Sequence, residues 1–207
     1  MRIAVIGSGR IGSTAARLFA RAGHEVGVAN TRGADSLRAD LHLLDGAEAA
    51  EPAEAVAFAD VVLLALPWRA RAALLEYGPW DGKIVVDATN PYGPAGEVVD
   101  LGAATSSERV AEAVPGARLV KALNTMHWVR LRDEGRPDEP EEARLVVFLA
   151  GDDAAAKRVV ADLVAQIGFA AVDAGPLGEG GRRLQPGTAL YNVPLVPAQA
   201  RELLAND

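Results

Sequence analysis

The sequence contains no cysteine. That excludes a disulfide framework, a thiolate nucleophile and any cysteine-ligated metal. No apolar run approaches the roughly 18 residues of a membrane-spanning helix, so no membrane partner is expected. No basic leader with a long apolar core precedes the first strand pattern, so no signal peptide is expected and the protein is read as cytoplasmic. Basic charge is scarce: 21 Lys and Arg stand against 28 Asp and Glu, a formal net charge of −7. A general nucleic-acid binder wants a basic face, and none is expected here. What the chain does have is apolar residues, half of its 207 positions. That is enough for a full core, and the expectation is a single domain, 1–207, with a carboxyl-terminal elaboration over 174–207.

The most informative stretch lies at the start. Ile3 to Ile6 reads as a buried strand, and Gly7, Gly9 and Gly12 follow it in the G-x-G-x-x-G spacing of a dinucleotide fold. Gly7 would turn out of the strand, Gly9 would let backbone approach a pyrophosphate, and Gly12 would let the next helix pack on the sheet. Ser8, Arg10 and Ile11 complete the loop and open a helix over residues 11–22. The amino terminus of that helix offers free N–H groups and partial positive charge to phosphates. His24 follows Gly23 as a turn or capping side chain.

The end of the second strand, 25–29, selects the cofactor. An NAD site usually carries an acidic residue there for the ribose 2′-hydroxyl. This chain has Asn30, Thr31 and Arg32. No carboxylate repels a 2′-phosphate, and Arg32 offers it a fork of donors. NADP(H) is therefore expected, with Thr31 adding a hydroxyl and Arg38 within reach. A helix over 33–44 is expected, with Leu37, Leu41 and Leu44 buried and His42 structural. A weak strand, 47–50, and a proline-started helix, 52–58, follow.

Val61 to Leu66 is a central parallel strand by its unbroken apolar run. Leu66, Pro67 and Trp68 end it on the side where open α/β sheets bind ligands. Trp68 either lines the ribose and nicotinamide or caps the helix 69–76. Residues 83–87 form the next strand, ending in Thr89, Asn90 and Tyr92. A helix started by Ser106 or Ser107 leads to a sixth strand, 118–122, which ends in Lys121, Asn124, Thr125, His127 and Trp128. Asn124 and Thr125 are candidates to hold a nicotinamide or substrate by hydrogen bonds, with Pro67, Asn90 and Asn124 lining the nicotinamide. His127, Lys121 and Tyr92 are the available proton donors, with His127 read chiefly as structural. Residues 132–142 are an exposed loop.

The unit 145–172 reads as a strand, a helix and a strand added to the first sheet. Residues 173–187 hold five glycines with Arg182 and Arg183. That stretch is either a mobile lid or anion clamp, or a surface linker. A broken helical segment, 188–204, closes the chain, with Tyr191 and Leu195 packing it down.

The chain resembles the NADP oxidoreductases dependent on coenzyme F420, the NADPH-dependent F420 reductases. The resemblance rests on Ile3 to Gly12, Ala22-Gly23-His24-Glu25-Val26, Asn30 to Gly33 and Asp87-Ala88-Thr89-Asn90-Pro91. It continues through Val120 to Thr125, Gly151-Asp152-Asp153, Asp173 to Leu177 and Leu184-Gln185-Pro186-Gly187. It implies a Rossmann-like α/β fold, with a mostly parallel sheet and helices on both faces. It also implies hydride transfer between NADPH and F420, usually in a homodimer. Thr31 and Arg32 match the family's pair for the 2′-phosphate, while Met126-His127-Trp128 departs from its pattern. Such chemistry needs alignment of two cofactors more than acid–base side chains. The alternatives are a reductase of a flavin, ferric chelate, imine or carbonyl, and a non-catalytic NADP(H) sensor or scaffold.

Overall fold

The computed structural model describes residues 1–38 and 45–206. The chain alternates strands and helices: β1 (Arg2–Ile6), α1 (Arg10–Arg21), β2 (Glu25–Ala29), α2 (Ala34–Arg38), β3 (Glu48–Ala49), α3 (Pro52–Phe58), β4 (Val61–Leu64), a 3-10 segment (Trp68–Glu76) and β5 (Ile84–Asp87). It continues through α4 (Ser106–Ala111), β6 (Arg118–Lys121), α5 (Trp128–Asp133), β7 (Val146–Leu149), α6 (Ala154–Gln166), β8 (Ala170–Asp173), α7 (Leu177–Arg183) and α8 (Pro197–Asn206). Leu41, Leu44 and His42 of the expected second helix lie outside the described residues.

Six strands form one parallel sheet in the order β3-β2-β1-β4-β5-β6. The order reverses direction at β1, which pairs with β2 on one side and β4 on the other. Such a switch point opens a crevice at the carboxyl ends of the strands, where ligands of this fold class bind. Strand alternation divides the core. Ile3, Val5, Leu63 and Val86 face α1 and α6 through Phe19, Val160 and Leu163. Ala4, Ile6, Val62 and Val85 face the other way, onto Val56 of α3, Trp68, Leu74 and Val110 of α4. Burial on both faces explains why these strands read as continuous apolar runs.

Two expectations are corrected. The pair β7-β8 is a separate two-stranded sheet. It meets the main sheet through one antiparallel bridge, Lys121 to Ala150. Beyond it the chain turns away at Gly151, whose missing side chain leaves room for the Leu119 carbonyl; a Cβ there would come 2.8 Å from that oxygen. On β7 the Val146 N–H donates to Leu195 O in the tail, 2.9 Å. The glycine-dense stretch is also no loop, because it contains α7. Gly180 is packed so closely that a Cβ would come 2.7 Å from Ala174 O and 2.9 Å from Ala150 Cβ. Glycine here serves tight packing, not mobility. Arg182 donates to Ala103 O, 2.6 Å, and Arg183 to Leu204 O, 3.4 Å. Arg182 therefore ties α7 to the loop before α4, and Arg183 ties it to α8.

The start of α4 differs too. Thr105 caps it, in a reciprocal capping box with Glu108, and Ser106 and Ser107 lie inside the helix. Among the described residues no helix is long and apolar enough to cross a membrane.

Candidate functional site

The glycine loop leaves β1 at the switch point. Gly7 adopts φ +122°, a region that favours glycine, and a Cβ would strike the Ala65 carbonyl. Its N–H donates to Ala29 O, 2.8 Å. At Gly12 a Cβ would strike the Gly7 carbonyl, so this glycine seats α1 against the loop. Gly9 is different. Its backbone is extended, φ −74°, and a Cβ there would have nothing within 4 Å. Neither backbone strain nor packing within the protein requires glycine at that position.

Above the loop lies a cavity of about 830 Å³, within the range of small-molecule and cofactor sites. Gly7, Ser8, Gly9, Arg10 and Ile11 line it, with Thr31 and Arg32. Leu66, Pro67 and Trp68 line it as well, and so do Asn90, Ala88 and Tyr92. Of the residues expected from sequence to hold the cofactor, Gly12 lies beneath the loop and Asn124 lines a neighbouring cavity, while Gly7 to Ile11, Thr31, Arg32, Leu66, Pro67, Trp68 and Asn90 line this one. Trp68 opens the 3-10 segment, is buried, and also lines the cavity. Arg71 stacks on its ring, 4.4 Å from the centroid.

The electrostatics of the cavity run against those of the chain. Three guanidiniums line it, from Arg10, Arg32 and Arg69, and no carboxylate does so among the described residues. None of the three is in an ion pair with a described residue, whereas Arg38 forms an exposed ion pair with Asp35 at 2.7 Å. Asn30 was legible only as the absence of an acid. It is 8% exposed, and its Oδ1 accepts the Arg32 N–H, 2.7 Å, while its amide donates to Ser8 Oγ and Ser36 Oγ, each 3.1 Å. This single side chain ties the glycine loop to the Thr31-Arg32 turn.

A second cavity of about 170 Å³ adjoins the first, and Ile11, Ala88 and Asn90 line both. Asn124, His127, Trp128 and Tyr191 complete it. Asn90 Nδ2 donates to Asn124 O, 3.0 Å, and Asn124 Nδ2 donates to Asn90 Oδ1, 3.0 Å, and to Leu184 O, 2.7 Å. His127 caps α5, its Nδ1 accepting the Val129 N–H at 3.4 Å. Arg10 and Arg132 both stack on Trp128, 5.3 and 4.9 Å from its ring.

Two placements depart from the sequence reading. Lys121 does not reach either cavity. It is wholly buried and donates to Asp87, Thr89 O and Ser106 Oγ. Tyr191, expected only to pack the tail, places its hydroxyl 3.0 Å from that of Tyr92 and within 3.3 Å of Asn90 Nδ2. Burial, with the hydrogen bond to Tyr92 next, raises its phenol above the ordinary tyrosine value. It stays protonated throughout the physiological range.

A doubly wound sheet, a glycine loop at its switch point and a cation-lined crevice define the class: an NADP(H)-dependent oxidoreductase of Rossmann type. Residues 2–91 match the family described as NADP oxidoreductase, coenzyme F420-dependent. A hypothetical protein from Sinorhizobium meliloti is 39% identical, with 95% of each chain covered and a TM-score of 0.84. A candidate F420-dependent NADP-reductase from Arthrobacter sp. FB24 is 30% identical, over 95% of this chain and 99% of that one, with a TM-score of 0.76. The chain belongs to this family. A reductive aminase from Aspergillus terreus shares the fold at 20% identity and a TM-score of 0.61, over 87% of this chain and 56% of that one.

Proposed function

We propose that the protein transfers a hydride between NADPH and coenzyme F420. The observation that carries this reading is the pair of cavities meeting at a shared wall of Ile11, Ala88 and Asn90. One cavity is large and cation-lined, and the other is small and shares that wall. When bound, NADPH supplies the hydride. The side chains of this protein bind, orient and exclude water.

Gly7, Ser8, Gly9, Arg10 and Ile11 hold the pyrophosphate against the start of α1, with Gly12 seating the helix. Thr31 and Arg32 hold the 2′-phosphate. Leu66, Pro67 and Trp68 line the ribose side. Asn90 and Asn124 border the nicotinamide. The close approach available at Gly9 and the unpaired Arg32 support this assignment. Alignment of donor and acceptor carbons within about 3–3.5 Å accounts for most of the rate advantage in such a site.

The reading takes residues 1–207 as one domain with 174–207 as its elaboration. It takes the protein as a cytoplasmic homodimer, which sedimentation equilibrium tests. The activity is tested by anaerobic mixing with NADPH and oxidised F420, following loss of the deazaflavin absorbance near 420 nm. Bleaching with NADPH and little with NADH is expected. No bleaching while NADPH still binds rejects F420 as the acceptor.

A further inference from the structure

Tyr191 lies 101 positions from Asn90 in sequence, yet their polar atoms meet at 3.3 Å. Its ring lines the small cavity, and Tyr92 lines the large one. The two hydroxyls, 3.0 Å apart, bridge the cavities at the shared wall. Asn90 fixes the direction of the chain of hydrogen bonds. Its Oδ1 accepts from the Asn124 amide at 3.0 Å, so its Nδ2 is the end that faces Tyr191 and donates to the phenol oxygen. When Tyr92 is the donor in their shared hydrogen bond, that oxygen accepts from it too, and the Tyr191 proton is free to point into the small cavity. Tyr92 is 38% exposed, so the far end of the chain touches solvent.

We propose that Tyr191 is a catalytic proton donor, fed by Tyr92, and that the acceptor gains a proton on a nitrogen or oxygen conjugated with the carbon that receives the hydride. This rests on the hydride-transfer reading above and adds the group that completes the reduction. The acceptor takes two electrons with the hydride as NADPH is oxidised. The Tyr191 O–H bond breaks, and an N–H or O–H bond forms on the acceptor. The phenolate recovers a proton from Tyr92, and Tyr92 from water. A neutral phenol suits the role, because only the protonated form can give a proton, and burial keeps Tyr191 in that form. His127 uses its Nδ1 as a helix cap, and Lys121 is wholly buried and spends its donors on Asp87, Thr89 O and Ser106 Oγ. Lys121 offers no proton here.

The test compares the parent protein with Tyr191→Phe and Tyr92→Phe. The first readout is binding. Oxidised F420 is titrated by its fluorescence into protein saturated with NADP+. Loss of one hydrogen bond should weaken it about fivefold in Tyr191→Phe, with NADPH affinity and melting temperature unchanged. The second is the rate of bleaching in light and heavy water. Positioned acids contribute about 10² to 10⁴ in rate. Tyr191→Phe should be slower by about 10²-fold and should lose the solvent isotope effect, while Tyr92→Phe should be slowed less. Parent-like rates and a retained solvent isotope effect in Tyr191→Phe overturn the proposal.

The same series is run with a cyclic imine, 2-methyl-1-pyrroline. Parent protein that reduces the imine but not F420 rejects the deazaflavin reading and leaves Tyr191 to be judged on the imine. Parent protein that reduces neither contradicts the proton-donor role as well.

Discussion

Lys121 and Asp87 stand opposite each other on β6 and β5, their charged atoms 3.1 Å apart and both side chains wholly buried. The ammonium uses its three donors, on Asp87, Thr89 O and Ser106 Oγ. Asp87 in turn accepts from Thr89 N, Thr89 Oγ1 and Ser107 Oγ. The pair fastens the turn that carries Thr89 and Asn90 to the start of α4. The wall shared by the two cavities is therefore anchored from beneath.

Breaking such a pair strands a charge in the core. Lys121→Met is expected to lower the unfolding free energy by about 3–5 kcal/mol, read from urea denaturation. Replacing both partners, Lys121→Met with Asp87→Leu, should recover much of that loss. A single variant within about 0.5 kcal/mol of the parent, the ordinary range for an inert surface change, would contradict this account.

The proposed function puts Arg32, which lines the large cavity, on the 2′-phosphate. Hydrogen bonds to charged groups contribute roughly 1.5–3 kcal/mol. Arg32→Ala should therefore weaken NADPH by about ten- to a hundredfold and NADH far less, in calorimetric titrations with each. Equal losses for both nucleotides would remove the phosphate assignment.

The two glycines Gly9 and Gly12 should respond oppositely to alanine. Gly9→Ala meets open space and unstrained backbone, so its melting temperature should match the parent while NADPH binding falls at least about tenfold, the equivalent of 1.4 kcal/mol. Gly12→Ala drives a methyl into the Gly7 carbonyl and should lower the melting temperature outright. A Gly9→Ala protein that binds NADPH normally would show that no ligand closes on that position.

Acid stability follows from Asp153, the cap of α6. Arg118 forks onto its carboxylate at 2.7 and 2.9 Å, and the N–H groups of Ala155 and Ala156 donate to it. The Arg118 hydrogen bonds, with the backbone donors after them, hold its pKa far below the ordinary value. A depressed carboxylate contributes fully above its unfolded pKa of about 3.9, and the contribution is lost as pH falls through the folded value. The melting temperature should be flat from neutral pH to about pH 5 and drop below about pH 4. Arg118→Met should make that acid drop shallower. An unchanged acid limb in Arg118→Met would contradict the linkage.

Local pattern carried much of this structure into the sequence. The apolar runs of β1, β4 and β5 and the glycine spacing marked the strands and the loop at their carboxyl ends, and Asn30-Thr31-Arg32 pointed to NADP(H); the strand order that makes β1 the switch point is tertiary. The failures are tertiary. Glycines over 175–187 look like a loop by composition, but Gly180 serves packing against Ala174 and Ala150. Lys121 looked like a site residue because it ends a strand, yet its side chain turns inward to Asp87. Opposite charges in adjacent apolar strands were the available signal. Tyr191 meets Tyr92 across 99 positions, and no local pattern encodes such a contact.

The central claim is direct hydride transfer from NADPH to a deazaflavin acceptor held beside Asn90. It is tested most directly with NADPH deuterated at the transferable position of the nicotinamide, mixed anaerobically with protein and oxidised F420. The account predicts that reduced F420 carries the deuterium on its acceptor carbon, in mass spectra taken in ordinary water. Reduced F420 without the label, or F420 left oxidised with NADPH bound, would contradict it.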